Sequence, residues 1–80
     1  MNTLRDIIDT IKNIDRIFMK RKRDDRVFAT DLSLARRKDE INLNKYLDNE
    51  AVFQVNHECL WLDENGKEVY TPYNDLIIYY

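Results

Sequence analysis

The five residues Leu76-Ile77-Ile78-Tyr79-Tyr80 constrain the fold most. Side chains alternate between the two faces of a strand, so a strand here is apolar on both. It must be covered on both sides, or it stands as an exposed edge able to pair with another chain. Only eighty residues are available to provide that cover. A chain of this length forms one domain, 1–80, and buries only about 60% of the surface its unfolded form exposes. Cys59 is alone, which excludes an internal disulfide, and one Cys with one His cannot supply the four ligands of a structural zinc site. The remaining sources of stability are an aromatic core and self-association. Six of the nine aromatic residues (Phe53, Trp61, Tyr70, Tyr73, Tyr79, Tyr80) fall in the last twenty-eight positions. With 44% apolar residues, one Pro and one Gly, the chain reads as folded rather than disordered.

Leu4, Ile7, Ile8, Ile11, Ile14 and Phe18 recur at steps of three and four residues, within an arc of about 120° on a helical wheel. This spacing predicts an amphipathic helix over 3–22, inside an N-terminal segment 1–23. Thr3 serves as its cap, Asp6 and Asp9 stand near its positive end, and Lys20-Arg21-Lys22-Arg23 form a basic C-terminal end. Leu4, Ile7, Ile11, Ile14 and Phe18 also fit heptad a and d positions, which would allow a homodimer through the N-terminal helix. The plainer reading packs that stripe on the chain's own sheet.

Residues 26–50 fit two readings equally well. In one, a strand at 27–35 is followed by a charged turn at Arg37-Lys38-Asp39-Glu40 and a strand or short helix at 41–48. In the other, a single helix spans the region. From Ala51 to Tyr80 the pattern is a β-meander. Asn65-Gly66 suits a two-residue type I′ hairpin turn, pairing Glu64 with Lys67, Leu62 with Val69 and Trp61 with Tyr70. Pro72-Tyr73-Asn74-Asp75 reads as a second turn. The expected architecture is α+β, an N-terminal amphipathic helix packed on a three- to four-stranded antiparallel β-sheet.

No chemistry stands out. His57 and Cys59 share one face of a strand, but a satisfied histidine beside a buried cysteine explains them better than a thiolate nucleophile. Asp24-Asp25, Asp39-Glu40 and Asp63-Glu64 fall in turns, as solvated charges do. There is no phosphate-binding glycine motif and no metal-ligand spacing, so neither an enzyme nor a cofactor is expected. No run is long and apolar enough for a membrane span, and Arg5, Asp6, Asp9 and Lys12 interrupt any leader-like stretch. A lone thiol without an export signal points to the cytoplasm.

Charge is divided along the chain. Residues 1–47 hold twelve of the thirteen Lys and Arg against eight Asp and Glu, whereas 48–80 hold one against seven. Such polarity suits contacts with charged partners. The leading expectation is a small non-enzymatic protein–protein interaction module that binds and blocks or modulates a host protein. The richness in Asn, Ile and Lys suits an AT-rich phage or mobile element as its source. A nucleic-acid-binding regulator is the alternative, with Arg16, Lys20, Arg21, Lys22, Arg23, Arg26, Arg36 and Arg37 following a phosphate backbone. An immunity or antitoxin-type partner is a third. Trp61, Tyr70 and Tyr79 are the candidate anchors for a protein contact if exposed, although filling the core is the plainer role for Trp61.

Overall fold

The computed structural model describes residues 2–11, 13–21 and 35–80. Among these residues three strands form one mixed sheet: β1 (Arg16–Lys20), β2 (Ala51–Leu62) and β3 (Glu68–Tyr79), in the order β1-β3-β2. The short helix α1 (Leu4–Ile7) runs on as a 3-10 turn, Ile8–Thr10, and packs on this sheet. The α+β class expected from the sequence is the one observed, with one change of direction. β3 pairs antiparallel with β2 but parallel with β1, setting Ile17 beside Leu76 and Met19 beside Ile78.

β3 is central because its C-terminal half is apolar on both faces. Leu76 and Ile78 join Leu4, Ile17 and Ala51 in one buried cluster, against which Ile7, Ile8, Ile11, Ile14, Met19, Ile41, Leu43, Tyr46 and Leu47 pack. Ile77 and Tyr79 point the other way and meet Phe18 and Ala35. Leu4, Ile17, Leu76 and Ile78 are fully buried. Each such side chain contributes about 1.5–3 kcal/mol relative to exposure.

Among the described residues, the helix predicted over 3–22 is present only from Leu4 to Thr10. Its start is as expected: the Thr3 amide donates to the Asp6 carboxylate at 3.0 Å and the Asp6 amide to the Thr3 carbonyl at 3.0 Å. The amides of Leu4 and Arg5, which have no partner inside a helix, donate to the carbonyls of Asn49 and Leu47. The Thr10 hydroxyl donates back to the Ile7 carbonyl at 2.7 Å, and Ile11 is already extended. Ile7, Ile8, Thr10, Ile11, Ile14 and Ile17 are all β-branched, the class that loses side-chain freedom in a helix and fits a pleated sheet. Residues 16–20 therefore add to β3 as a strand. The heptad seam does not form: Leu4, Ile7, Ile8, Ile11 and Ile14 enter the chain's own core, and Phe18 lies on the opposite face of the sheet. Of the expected basic helix end, Lys20 closes β1 and Arg21 follows it outside any helix, while Lys22 and Arg23 lie outside the described residues.

The outer edge of β1 is bridged by Arg36, whose backbone exchanges two hydrogen bonds with Ile17 at 2.8 and 2.9 Å. Chain 37–49 then crosses the first core cluster in two 3-10 turns, Lys38–Glu40 and Leu43–Tyr46. Of the two readings of the middle region, the charged turn followed by a short helix matches this part. The strand expected at 27–35 falls almost wholly outside the described residues.

The expected turn at 72–75 is absent, because β3 runs straight through Pro72. Even-numbered residues of β3 aim their amides toward β1: Tyr80 donates to the Lys20 carbonyl and Asn74 to the Asp15 carboxylate, both at 2.8 Å. Pro72 aims its nitrogen the same way, beyond the point where β1 begins, so the missing donor costs no ladder bond.

Candidate functional site

β2 and β3 are twelve residues each, about 40 Å of strand, and only their inner ends lie under the helix and the 37–49 segment. The outer half stands out as a two-stranded arm. Its tip differs from the expected type I′ turn. Gly66 alone among the described residues has positive φ, at 76°, and Asn65 does not. The Gly66 amide donates to the Asp63 carbonyl, while Asp63 Oδ1 accepts from the amides of Asn65 and Lys67, both at 2.9 Å. An Asx-closed type I turn with glycine in the left-handed position results. It shifts the register, so that Leu62 pairs with Glu68, Trp61 with Val69 and Cys59 with Tyr70, and Leu60 is the extra residue of a bulge.

That register leaves the arm apolar on both sides. Leu60, Trp61, Leu62 and Tyr70 are 53–60% exposed, and Val55 farther in is 50% exposed. Trp61 is therefore not a core residue. Beside it lies a shallow hollow of about 230 Å³ lined by Asp63, Glu64 and Asn65. The Tyr70 hydroxyl donates to Glu68 at 2.5 Å, and this bond raises its pKa above 10.0. Between Glu58 and Tyr70 the arm carries four carboxylates against one lysine. The arm thus carries exposed aromatic and aliphatic side chains beside a group of negative charges.

Where the arm meets the body, Arg16 joins the three strands. It donates to both Asp75 oxygens at 2.7 and 2.8 Å and pairs with Glu58 at 2.9 Å. Its guanidinium lies 4.1 Å from the centroid of the Tyr73 ring and 5.5 Å from that of Phe18. Asn56 adds a hydrogen bond to Asp75, which is fully buried. The hydrogen bonds to Asp75 push the guanidinium pKa still higher, so this cation stays charged.

The structure separates the residues singled out in the sequence. Arg16 is held inside the ion cluster rather than offered to a phosphate. Arg37 pairs with Glu40 at 3.3 Å, Arg36 is exposed, and Arg21 is exposed at the end of β1. Lys20 is half-buried beside Tyr79, itself buried in the second core cluster and so no anchor. Lys22, Arg23 and Arg26 lie outside the described residues. His57 and Cys59 share a face as expected, but both are exposed, which corrects the reading of a buried cysteine. Among the described residues no three His, Cys, Asp or Glu side chains are grouped to hold a metal, and no helix is long and apolar enough to cross a membrane.

Sequence reasoning missed Leu60 and Leu62 as exposed residues, and Asp75 as the buried partner of Arg16. One signal for the first two was present: Cys59-Leu60-Trp61-Leu62 is apolar at four consecutive positions, hence on both faces, next to a charged turn that must reach solvent. Compared with protein-family models, curated proteins and solved structures, the chain matches none.

Proposed function

We propose that this chain is a small non-enzymatic protein–protein interaction module that docks its β2–β3 arm on another protein in the cytoplasm and blocks or modulates it. The observation that carries the reading is the exposure of Leu60, Trp61, Leu62 and Tyr70 on one protruding arm. Tryptophan and tyrosine are the side chains that most often dominate binding energy, and aliphatic neighbours exclude water around them. The carboxylate rim calls for a partner with a basic rim around an apolar hollow, and such complementarity speeds encounter. An exposed free thiol at Cys59 suits a reducing compartment. A nucleic-acid role has less support, because Arg16 and Arg37 are spent on carboxylates of the chain and the aromatic patch stands among negative charges that repel phosphates.

A photo-crosslinking residue at Leu62 tests this directly. It should capture one host protein in stoichiometric yield, whereas the same residue at Asn44, on the body, should not. Adding Trp61→Asp should abolish capture while the denaturation midpoint stays put, since the side chain is over half exposed. Capture of nucleic acid, or capture of the same protein unchanged by Trp61→Asp, would refute the reading.

A further inference from the structure

The tip of the arm groups an aromatic ring with carboxylates that the chain leaves without a counter-charge. Its hollow, about 230 Å³, is lined by Trp61, Asp63, Glu64 and Asn65. Sites that enclose a drug-sized ligand run to roughly 300–1,000 Å³, so this one fits a single side chain better than a small molecule. Trp61 is 57% exposed, which leaves its ring open to an occupant. Residues 63–68 carry three carboxylates and one lysine. Glu68 accepts from the Tyr70 hydroxyl, and Asp63 spends Oδ1 on two backbone amides. Asp63 Oδ2 and the whole Glu64 carboxylate stay open. Among the described residues no cation pairs with Asp63 or Glu64. Lys67 is the nearest one in sequence, but the turn sets it opposite Asp63 and it does not line the hollow.

On the reading that the arm docks on a protein, we infer that its hollow receives one arginine side chain of that partner, the guanidinium stacked on Trp61 and bonded to Glu64 and Asp63. Charge complementarity fixes the sign of the occupant. An anionic or purely apolar group seated there would desolvate two carboxylates and give them no counter-charge. Shape then selects between the two cationic side chains. A guanidinium is planar, stacks on an aromatic face, forks onto a carboxylate and gives up its water more readily than an ammonium. The fold holds one of its own arginines by the same elements. Arg16 lies 4.1 Å from the centroid of the Tyr73 ring while it donates to Asp75 and pairs with Glu58. At the tip the ring and the two acids recur, yet residues 38–80 contain no arginine to fill the place.

Trp61 is the sole tryptophan, so its fluorescence reports on this hollow directly. The probes are N-acetyl-arginine amide, its lysine analogue and its uncharged citrulline analogue, each added to the full chain at constant ionic strength. Over a titration to about 100 mM, the arginine compound should give a saturable change with a dissociation constant on the order of 10 mM, as one exposed, stacked ion pair allows. The lysine compound should bind about threefold more weakly or worse, and the citrulline compound should give no saturable change. Glu64→Gln, at an exposed position, should weaken arginine binding about two- to fivefold and leave the denaturation midpoint where it was. Trp61→Leu, followed through the backbone amide resonance of Asn65, should lose saturable binding. No saturable response to the arginine compound, an equal response to either analogue, or undiminished binding by Glu64→Gln overturns the inference. These titrations need no partner protein, so their failure is distinct from failure of the docking reading, which the crosslink at Leu62 decides.

Discussion

Arg16→Met is the most informative single perturbation of the fold. The methionine fills most of the space of the arginine stem but leaves Asp75, 1% exposed, without the two charge-assisted bonds that neutralise it. Asn56 remains as a donor to Asp75, and Glu58, one-third exposed, can turn to water. Removing one member of a buried ion pair costs about 3–5 kcal/mol because the other charge stays behind. An eighty-residue domain has a total stability of only about 4–12 kcal/mol, so the variant should be close to unfolding. Asp75→Asn is the smaller insult: the new side chain still accepts one bond, and Arg16 keeps Glu58 at 2.9 Å. About 1–3 kcal/mol is expected. In the double variant the orphaned carboxylate is gone, so the two losses should fall short of additivity by about 1 kcal/mol or more. Urea titrations followed by tryptophan fluorescence and by circular dichroism measure all three. Equal losses from the two single variants, or losses that simply add, would mean that the cluster is a solvated surface pair and that the buried-charge argument is wrong.

The tip of the arm makes two further predictions. Gly66→Ala should cost about 1 kcal/mol through its positive φ alone, since an added Cβ meets nothing within 4 Å, and Asp63→Ala about 1–2 kcal/mol through two amides left without their acceptor. Both are read from denaturation midpoints, and a neutral Asp63→Ala would refute the Asx-closed turn. The Tyr70 phenol should titrate above 10.0, and Glu68→Ala should return it toward that value in an ultraviolet titration of the phenolate. Because the folded value is the raised one, the bond's contribution is fully present below the unfolded pKa and is lost as pH climbs through the folded pKa.

Much of the architecture is legible in residue order. The all-apolar Leu76–Tyr80 segment demands cover on both faces, and it became the inner end of the central strand. The β pattern of 51–70 and the turn chemistry near Asn65-Gly66 announce a hairpin, and Thr3 with Asp6 announces a helix start. The N-terminal stripe is ambiguous for a definite reason: periods of 3.6 and 2 place overlapping sets of residues on one face over so short a stretch. Ile17 marks the difference. It lies off the helical stripe yet is 0% exposed, because in a strand it sits beside Leu76. Similarly, Asn-Gly permits more than one hairpin, and the reach of the Asp63 side chain to two amides selects among them.

Local sequence thus determined which segments are apolar, where the chain reverses and that one strand must be shielded on both sides. Only tertiary structure decided that residues 16–20 leave the helix to pair in parallel with β3, about sixty positions away, and that Arg16 thereby meets Asp75. It also decided which aromatic residues face water. Pairing over such separations is governed by closing a long loop and covering a strand, and neither quantity is written in the neighbours of any single residue.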